Sequence, residues 1–210
     1  MIRKVLWILM AVFSILIGLY PAIYFLTDRK FGLLGSKSSE LLANIFWNVG
    51  FYTHIILGGL ALFIGWIQFS PKLRNKNLRL HRQIGKVYII AVLLSAVAGI
   101  GIGFSATGGL FTSAGFISLG VIWFYTTFIA YVSIRNKQIH LHQNMMIYSY
   151  AACFAAVTLR IWLPLLIMIF GDFITAYTIV AWLSWVPNMI VAYLIVKRLE
   201  ESRNVAISYP

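Results

Sequence analysis

The sequence predicts an all-α integral membrane protein, a compact bundle of six transmembrane helices that forms a single domain over residues 1–210. Of the 210 residues 61% are hydrophobic, 10% are charged and only five are carboxylates, too few charges for a soluble globule. A bilayer offers no hydrogen-bonding partners to an open sheet edge, and the residue alternation of barrel strands is absent. The spans are therefore predicted to be helices.

Six apolar stretches are long enough to cross a hydrocarbon core of about 30 Å, which takes roughly 20 helical residues. The first follows Arg3 and Lys4, but it is too long for a signal-peptide core and lacks a small-x-small cleavage site, so we expect it to be retained. Two connections, at Gly108-Gly109 and near Gly171, are so short that they predict tight antiparallel hairpins. The stretches are residues 5–26, 43–69, 87–104, 112–134, 143–170 and 173–196.

Two segments of the chain match each other, residues 74–81 and residues 135–142. Each opens with Arg-Asn-Lys, ends in Leu-His at the same offset and leads into a long apolar stretch. This match predicts a duplicated helical hairpin, in which spans two and three correspond to spans four and five and His81 corresponds to His142. A chance triplet within two loops that are basic for topological reasons is the alternative explanation.

The formal net charge of +12 is better explained by membrane topology than by nucleic-acid binding. Thirteen lysines and arginines lie at the helix ends that would face the cytoplasm if the amino terminus is inside, and only Arg29, Lys30 and Lys37 lie in the outer loops. The positive-inside rule then predicts a protein of the bacterial cytoplasmic (inner) membrane with both termini in the cytoplasm. The single cysteine, Cys153, lies in the fifth span, so no intrachain disulfide can form.

His81 and His142 are predicted to lie at the same depth, each at a cytoplasmic helix start. Facing imidazoles at equal depth suit a bis-histidine haem b, and Arg82 and Lys86 could pair with its propionates. Two alternatives stay open: the histidines cap helices or sit among headgroups, or they bind copper or zinc. His140 could join such a metal site only in an extended segment, because residues i and i+2 of a helix point about 200° apart.

His54 and Arg160 form the second candidate site. A stripe of small residues on the second span places His54 against protein, and Arg160 is a charge within an apolar span, where charges are costly and mark a function. Each lies ten residues from the outer end of its span, so both are about 15 Å deep. We expect them to bind an anionic or carbonyl-bearing ligand, such as a quinone. The alternative is that Arg160 reaches the headgroups or Asp172.

Three signatures of hydrolases are absent from the sequence: a buried acid pair, a Ser-His-Asp arrangement and an H-E-x-x-H motif. The sequence therefore favours a membrane oxidoreductase that binds haem b and transfers electrons, with a quinone as a candidate partner. The alternative function is a non-enzymatic carrier of a metal, lipid or anion, or an assembly factor for a membrane complex.

Two stretches, residues 53–88 and residues 142–164, resemble bacterial membrane proteins of the family called domain of unknown function 2306. The resemblance covers roughly spans two to five. It implies that the family's marked positions are His54, His81, Arg82, His142 and Arg160, without His140. Where the family's pattern would place a basic residue and a tryptophan after its last histidine, the chain has other residues, Gln143, Asn144 and Met145.

Overall fold

Helices make up most of the computed structural model, which describes residues 2–28 and 32–208. Six helical segments of this described part are long and apolar enough to cross a membrane, which confirms the predicted all-helical fold class. Arg29 and Lys30, two of the outer cations in the charge count, lie outside the described residues. The spans are Lys4–Leu26, Ile45–Phe69, Leu78–Gly103, Leu110–Arg135, Ile139–Phe170 and Phe173–Val205.

The spans are built from α-helices that are numbered here in chain order. The first span is two helices joined by a 3-10 turn at Tyr20–Ala22, where Pro21 has no N–H to donate. The fifth and sixth spans also contain two helices each. The helices are α1 (Ile2–Leu19), α2 (Ile23–Leu26), α3 (Ser39–Ala43), α4 (Ile45–Gly65), α5 (Pro71–Lys76), α6 (Leu78–Gly103), α7 (Leu110–Arg135), α8 (Ile139–Cys153), α9 (Ala155–Phe170), α10 (Phe173–Leu183) and α11 (Val186–Ser208).

Spans three and five begin earlier than the hydropathy predicted, at Leu78 and Ile139. Asn77 caps α6 by accepting a 2.9 Å hydrogen bond from the backbone N–H of Leu80, so the helix starts in the polar segment before the apolar stretch. His81 and His142 are consequently each the fourth residue of a helix. This equal placement agrees with the offset seen in the sequence, while the duplication itself stays a prediction.

Small residues allow the helices to approach closely. A Cβ added at Gly58 of α4 would lie 3.1 Å from the Ser95 hydroxyl oxygen of α6, and one at Gly59 would lie 2.8 Å from the ring of Pro21 in the first span. The second span thus packs against the third and the first. The fourth span packs against both the third and the fifth, α10 packs on α9 and α7, and α11 packs on α8.

Buried hydroxyl groups in the core bond to one another. The Tyr88 hydroxyl lies 2.9 Å from that of Ser149, which lies 2.6 Å from that of Thr127. The Tyr150 hydroxyl lies 2.7 Å from that of Ser14 and so ties the first span to the fifth. These pairs satisfy polar groups that have no water to bond, and they leave apolar side chains to face the lipid.

The fifth span is interrupted at Phe154, where α8 ends and α9 begins. The backbone continues through this residue in helical conformation, because the N–H of Phe154 donates to the carbonyl of Tyr150 and the N–H of Thr158 donates to that of Phe154. The Thr158 hydroxyl lies within hydrogen-bonding distance of the carbonyl oxygens of Phe154 and, on another span, of Ser184, so its single O–H is shared between its own helix and the neighbouring span.

The sixth span is interrupted at the same level, where α10 ends before Ser184 and α11 begins just ahead of Pro187. The Asn188 amide nitrogen bridges the two breaks by donating to the carbonyls of Ala151 (3.3 Å) and Ser184 (3.0 Å) and to the Thr158 hydroxyl (3.1 Å). The dipeptide Pro187-Asn188 inside an apolar span was the signal for this joint in the sequence.

The antiparallel spans define two ends of the bundle. The basic end holds the start of α1, the connections at residues 70–77 and 136–138 and the end of α11. The opposite end holds α3 and the connections at residues 104–109 and 171–172. His81 and His142 lie at the basic end, whereas His54 and Arg160 lie in the half of the bundle nearer the opposite end.

Candidate functional site

His142 is held by the backbone of a neighbouring helix. The side chain is partly buried, and its Nδ1 lies 2.8 Å from the carbonyl oxygen of Ala130 in α7. A carbonyl oxygen only accepts hydrogen bonds, so the proton of the neutral ring lies on Nδ1 and the lone pair lies on Nε2. This is the arrangement of a metal-binding histidine whose second nitrogen is anchored by a carbonyl.

His81 lies near His142 and has no such anchor. Its Nδ1 is buried and has no hydrogen-bond partner within the described part of the chain. Seven residues after each histidine, the hydroxyls of Tyr88 on α6 and Ser149 on α8 lie 2.9 Å apart, so the two helices run side by side. The structure therefore brings together the two histidines that the sequence paired, and one of them has a buried polar atom that needs a partner.

Gln68 is a residue of this region that the sequence analysis missed. Its Oε1 lies 3.6 Å from the position that a Cβ on Gly85 would occupy, and Gly85 follows His81 by one helical turn. Its Nε2 is buried without a partner among the described residues. No signal in the sequence marked it, because a single glutamine near the end of a span resembles any interfacial polar residue.

Arg82 and Lys86 lie on α6, one residue and five residues after His81, and both are exposed. They are placed to pair with acidic groups at the membrane surface. His140 is also exposed, and because residues 139–153 are helical it points away from His142. The described residues accordingly contain no cluster of three or more His, Cys, Asp or Glu side chains that could hold a metal ion.

The residues after His142 hold the C-terminal helix. Arg203 of α11 donates to the Gln143 side-chain oxygen (2.7 Å) and to the Asn144 side-chain oxygen (3.1 Å), and the Asn144 amide donates to Glu200 (2.7 Å). The segment in which the chain departs from the pattern expected of the family thus forms an interhelical polar network. It also places the Arg203 cation against Gln143, the residue that follows His142 in the sequence.

His54 is fixed against α6 as the small-residue stripe predicted. Its Nδ1 lies 2.9 Å from the backbone carbonyl oxygen of Ser95, and the Ser95 hydroxyl donates to the carbonyl of His54 over 2.9 Å. The ring lies over Gly99, where an added Cβ would come within 2.7 Å of Nδ1. As in His142, the carbonyl acceptor places the proton on Nδ1 and the lone pair on Nε2.

Arg160 lies among aromatic groups rather than acids. The centre of its guanidinium is 4.2 Å from the centroid of the Tyr20 ring, and Nη1 donates to the carbonyl of Ala156 over 2.9 Å. Nε is buried without a partner, and none of the described acidic side chains forms an ion pair with this guanidinium. The Tyr20 contact could not be read from the sequence, because it depends on how the first span packs.

Asp172 does not neutralise Arg160. Its carboxylate accepts a 2.7 Å hydrogen bond from the backbone N–H of Thr175 and so caps the start of α10. Backbone N–H groups at this helix start lower the pKa of Asp172 below its usual value. The alternative in which Arg160 reaches Asp172 is therefore wrong.

His54 and Arg160 contact different helices. His54 bonds to α6, Arg160 lies against the first span, and no hydrogen bond joins the two. They lie in the same region of the bundle, because Arg160 contacts Tyr20 and the next residue, Pro21, packs on Gly59 of α4, five residues after His54. Their use as a joint ligand site stays a prediction.

An open cleft of about 490 Å³ lies near the opposite end, between the first span and the start of α4. The ring of Tyr24, one of the cleft's walls, lies 5.9 Å from the ring of Tyr20, which contacts the guanidinium of Arg160. The cleft is thus adjacent to the Arg160 region. Its lining residues are Tyr24, Thr27, Leu42, Ala43, Ile45, Asn48 and Tyr52.

Residues 51–196, which contain both candidate sites, match the profile of the family described as predicted membrane protein (DUF2306). The chain belongs to the DUF2306 family. Comparisons with curated proteins and with solved structures found no match. This DUF2306 protein is an integral membrane protein, and the family description assigns it no reaction, so a function has to be argued from the sites.

Proposed function

We propose that this DUF2306 protein binds haem b between His81 and His142 and transfers electrons within the membrane. The observation that carries the proposal is the hydrogen bond from His142 Nδ1 to the Ala130 carbonyl, which leaves the lone pair on Nε2, on a helix that packs beside the helix of His81. When bound, the haem would supply reversible one-electron chemistry, which no side chain in this region offers.

The residues around the pair suit this group. His81 has a buried Nδ1 without a partner among the described residues, so a bond to a ligand would remove the cost of an unpaired polar atom. Exposed Arg82 and Lys86 would neutralise the propionates at the membrane surface. Gln68 would donate from its unpartnered Nε2 to an acceptor at the same site.

The alternative for the same pair is a copper or zinc ion. Such an ion usually takes three or four protein ligands, and here two histidines would have to recruit further ligands. A non-enzymatic role as a carrier of an anion or lipid, or as an assembly factor, is favoured by a different feature, the guanidinium of Arg160, which has no acidic partner among the described residues. A quinone near His54 and Arg160 is the proposed redox partner, and the bacterial inner membrane with cytoplasmic termini is the proposed location.

A visible absorption spectrum of the purified protein tests the haem proposal. Protein from haem-replete cells should show a b-type spectrum, and either His81→Ala or His142→Ala should abolish it. His140→Ala is the matched control, because this exposed histidine lies two residues from His142 and should leave the spectrum intact. A colourless preparation would overturn the proposal, and stoichiometric copper or zinc that is lost in the same two variants would favour the metal site.

A further inference from the structure

His54 presents a hydrogen-bond acceptor inside the membrane. Its Nδ1–H is committed to the carbonyl of Ser95, so the neutral ring has its lone pair on Nε2, and Nε2 has no hydrogen-bond partner among the described residues. The Ser95 hydroxyl donates in turn to the backbone carbonyl of His54, so a second hydrogen bond joins α4 and α6 at this point. The ring therefore cannot exchange its donor and its acceptor without losing the bond to Ser95.

Arg160 presents the complementary group, a donor without an acceptor. Nη1 is used by the carbonyl of Ala156 and Tyr20 covers one face of the guanidinium, whereas Nε and Nη2 have no acceptor among the described residues. Both residues lie about 15 Å from the opposite end of their spans at 1.5 Å per residue, so their ligand must be soluble in the bilayer.

We propose that His54 and Arg160 bind the reduced, hydroxyl-bearing form of a membrane-soluble ring compound, a hydroquinone, in preference to the oxidised quinone. A hydroquinone O–H donates to Nε2 of His54, while a ring oxygen accepts from the guanidinium of Arg160. A quinone only accepts and leaves Nε2 unpaired, which costs about 1–3 kcal/mol for a buried polar group. That cost corresponds to a preference of about 5- to 150-fold.

The role of the hydroquinone as an electron donor rests on the proposed function. Its binding does not, because neither His81 nor His142 contributes to the site. The two proposals can therefore fail separately.

The test is equilibrium binding under anaerobic conditions to the full-length protein in lipid nanodiscs. The probes are a hydroquinone with a short alkyl tail, the corresponding quinone and the dimethyl ether of the hydroquinone, which has the same ring but no O–H. We expect the hydroquinone to bind at least about fivefold more tightly than the other two. Equal affinities for the three probes, or tighter binding of the quinone, would overturn the proposal.

Two glycines of α6 that lie two residues apart provide a matched pair of variants. Gly99→Ala would place a Cβ within 2.7 Å of His54 Nδ1 and displace the ring, so it should remove the preference for the hydroquinone. Gly101→Ala meets no atom within 4 Å and should retain the preference. Unchanged probe affinities in Gly99→Ala, in protein whose thermal unfolding matches that of Gly101→Ala, would show that His54 is not part of the site.

A second pair of variants tests the guanidinium. Arg160→Lys should weaken hydroquinone binding by about tenfold, because an ammonium cannot reproduce the planar donor fork, whereas Arg135→Lys at the exposed basic end should not. The His142→Ala variant should bind the hydroquinone like the wild type even if it contains no haem. Loss of binding in that variant would contradict an independent site.

Discussion

The imidazole of His142 is fixed by the carbonyl of Ala130, which accepts a hydrogen bond from Nδ1 over 2.8 Å and so joins α8 to α7. The acceptor is a backbone atom, so no side-chain substitution at Ala130 removes it. His54 has the same relationship with the carbonyl of Ser95 on α6. Two histidines in different halves of the bundle thus present Nε2 lone pairs to their surroundings, whereas Nδ1 of His81 has no partner among the described residues.

The tautomers of these histidines can be measured. In haem-free protein labelled with ¹⁵N, we expect the neutral rings of His54 and His142 to carry their proton on Nδ1, because a carbonyl oxygen can only accept. The exposed His140 is the control and should show a mixture of tautomers. Nε2–H signals from His54 or His142 would contradict the assignment on which both proposals depend.

Gln68 is expected to serve the ligand rather than the fold. Gln68→Ala removes a buried donor that has no partner among the described residues, so the unfolding free energy of the ligand-free protein should stay the same or rise by about 1 kcal/mol. The affinity for haem should fall severalfold in the same variant. Gln83→Ala, on the exposed face of α6, is the control, and a stability loss confined to Gln68→Ala would make Gln68 a structural residue.

Arg160 should lower the stability of the ligand-free protein. Its guanidinium lies against the Tyr20 ring and forms no ion pair with a carboxylate in the described part of the chain, and an unpaired charge within a bilayer costs several kcal/mol. Arg160→Leu should therefore preserve or increase stability against denaturing detergent while it abolishes hydroquinone binding. The exposed Arg82→Leu should change neither quantity, and destabilisation by Arg160→Leu would show that the Tyr20 contact supports the fold.

Asp172 should make the stability of the fold depend on pH in the acid range. Its pKa is lowered in the folded protein by bonds from backbone N–H groups at the start of α10. The stabilisation is consequently complete above the ordinary carboxyl pKa of 3.8 and is lost as the pH falls through the lowered folded value. Thermal midpoints of the wild type and of Asp172→Asn should differ at neutral pH and converge in strong acid. A difference that is constant with pH would exclude the carboxylate as its cause.

The positive-inside rule predicts the orientation of the bundle from its basic end. A cysteine in place of exposed Ser38 should react with an impermeant thiol reagent added outside intact cells, whereas one in place of exposed Asn75 should react only after the membrane is opened. The native Cys153 is buried and free, so both variants also carry Cys153→Ser, which removes any residual signal. The reverse labelling pattern would show that the protein has the opposite orientation in the membrane.

The sequence by itself determined the membrane class, the six spans and the positions of the candidate residues along them. Length and hydropathy are local properties, and a rise of 1.5 Å per residue converts sequence position into depth. For that reason the equal placement of His81 and His142, and the contact of His54 with protein, could be predicted from the residues alone.

Only the tertiary structure decided which atoms meet. The partners of His142 and His54 are the backbone carbonyls of Ala130 and Ser95. Every residue has a backbone carbonyl, so no sequence pattern marks these two. The contact of the Thr158 hydroxyl with the carbonyl of Ser184 on another span is likewise recorded by no local pattern. The azimuth and packing of each helix, which put Tyr20 beneath Arg160, arise from contacts between spans that no local pattern records.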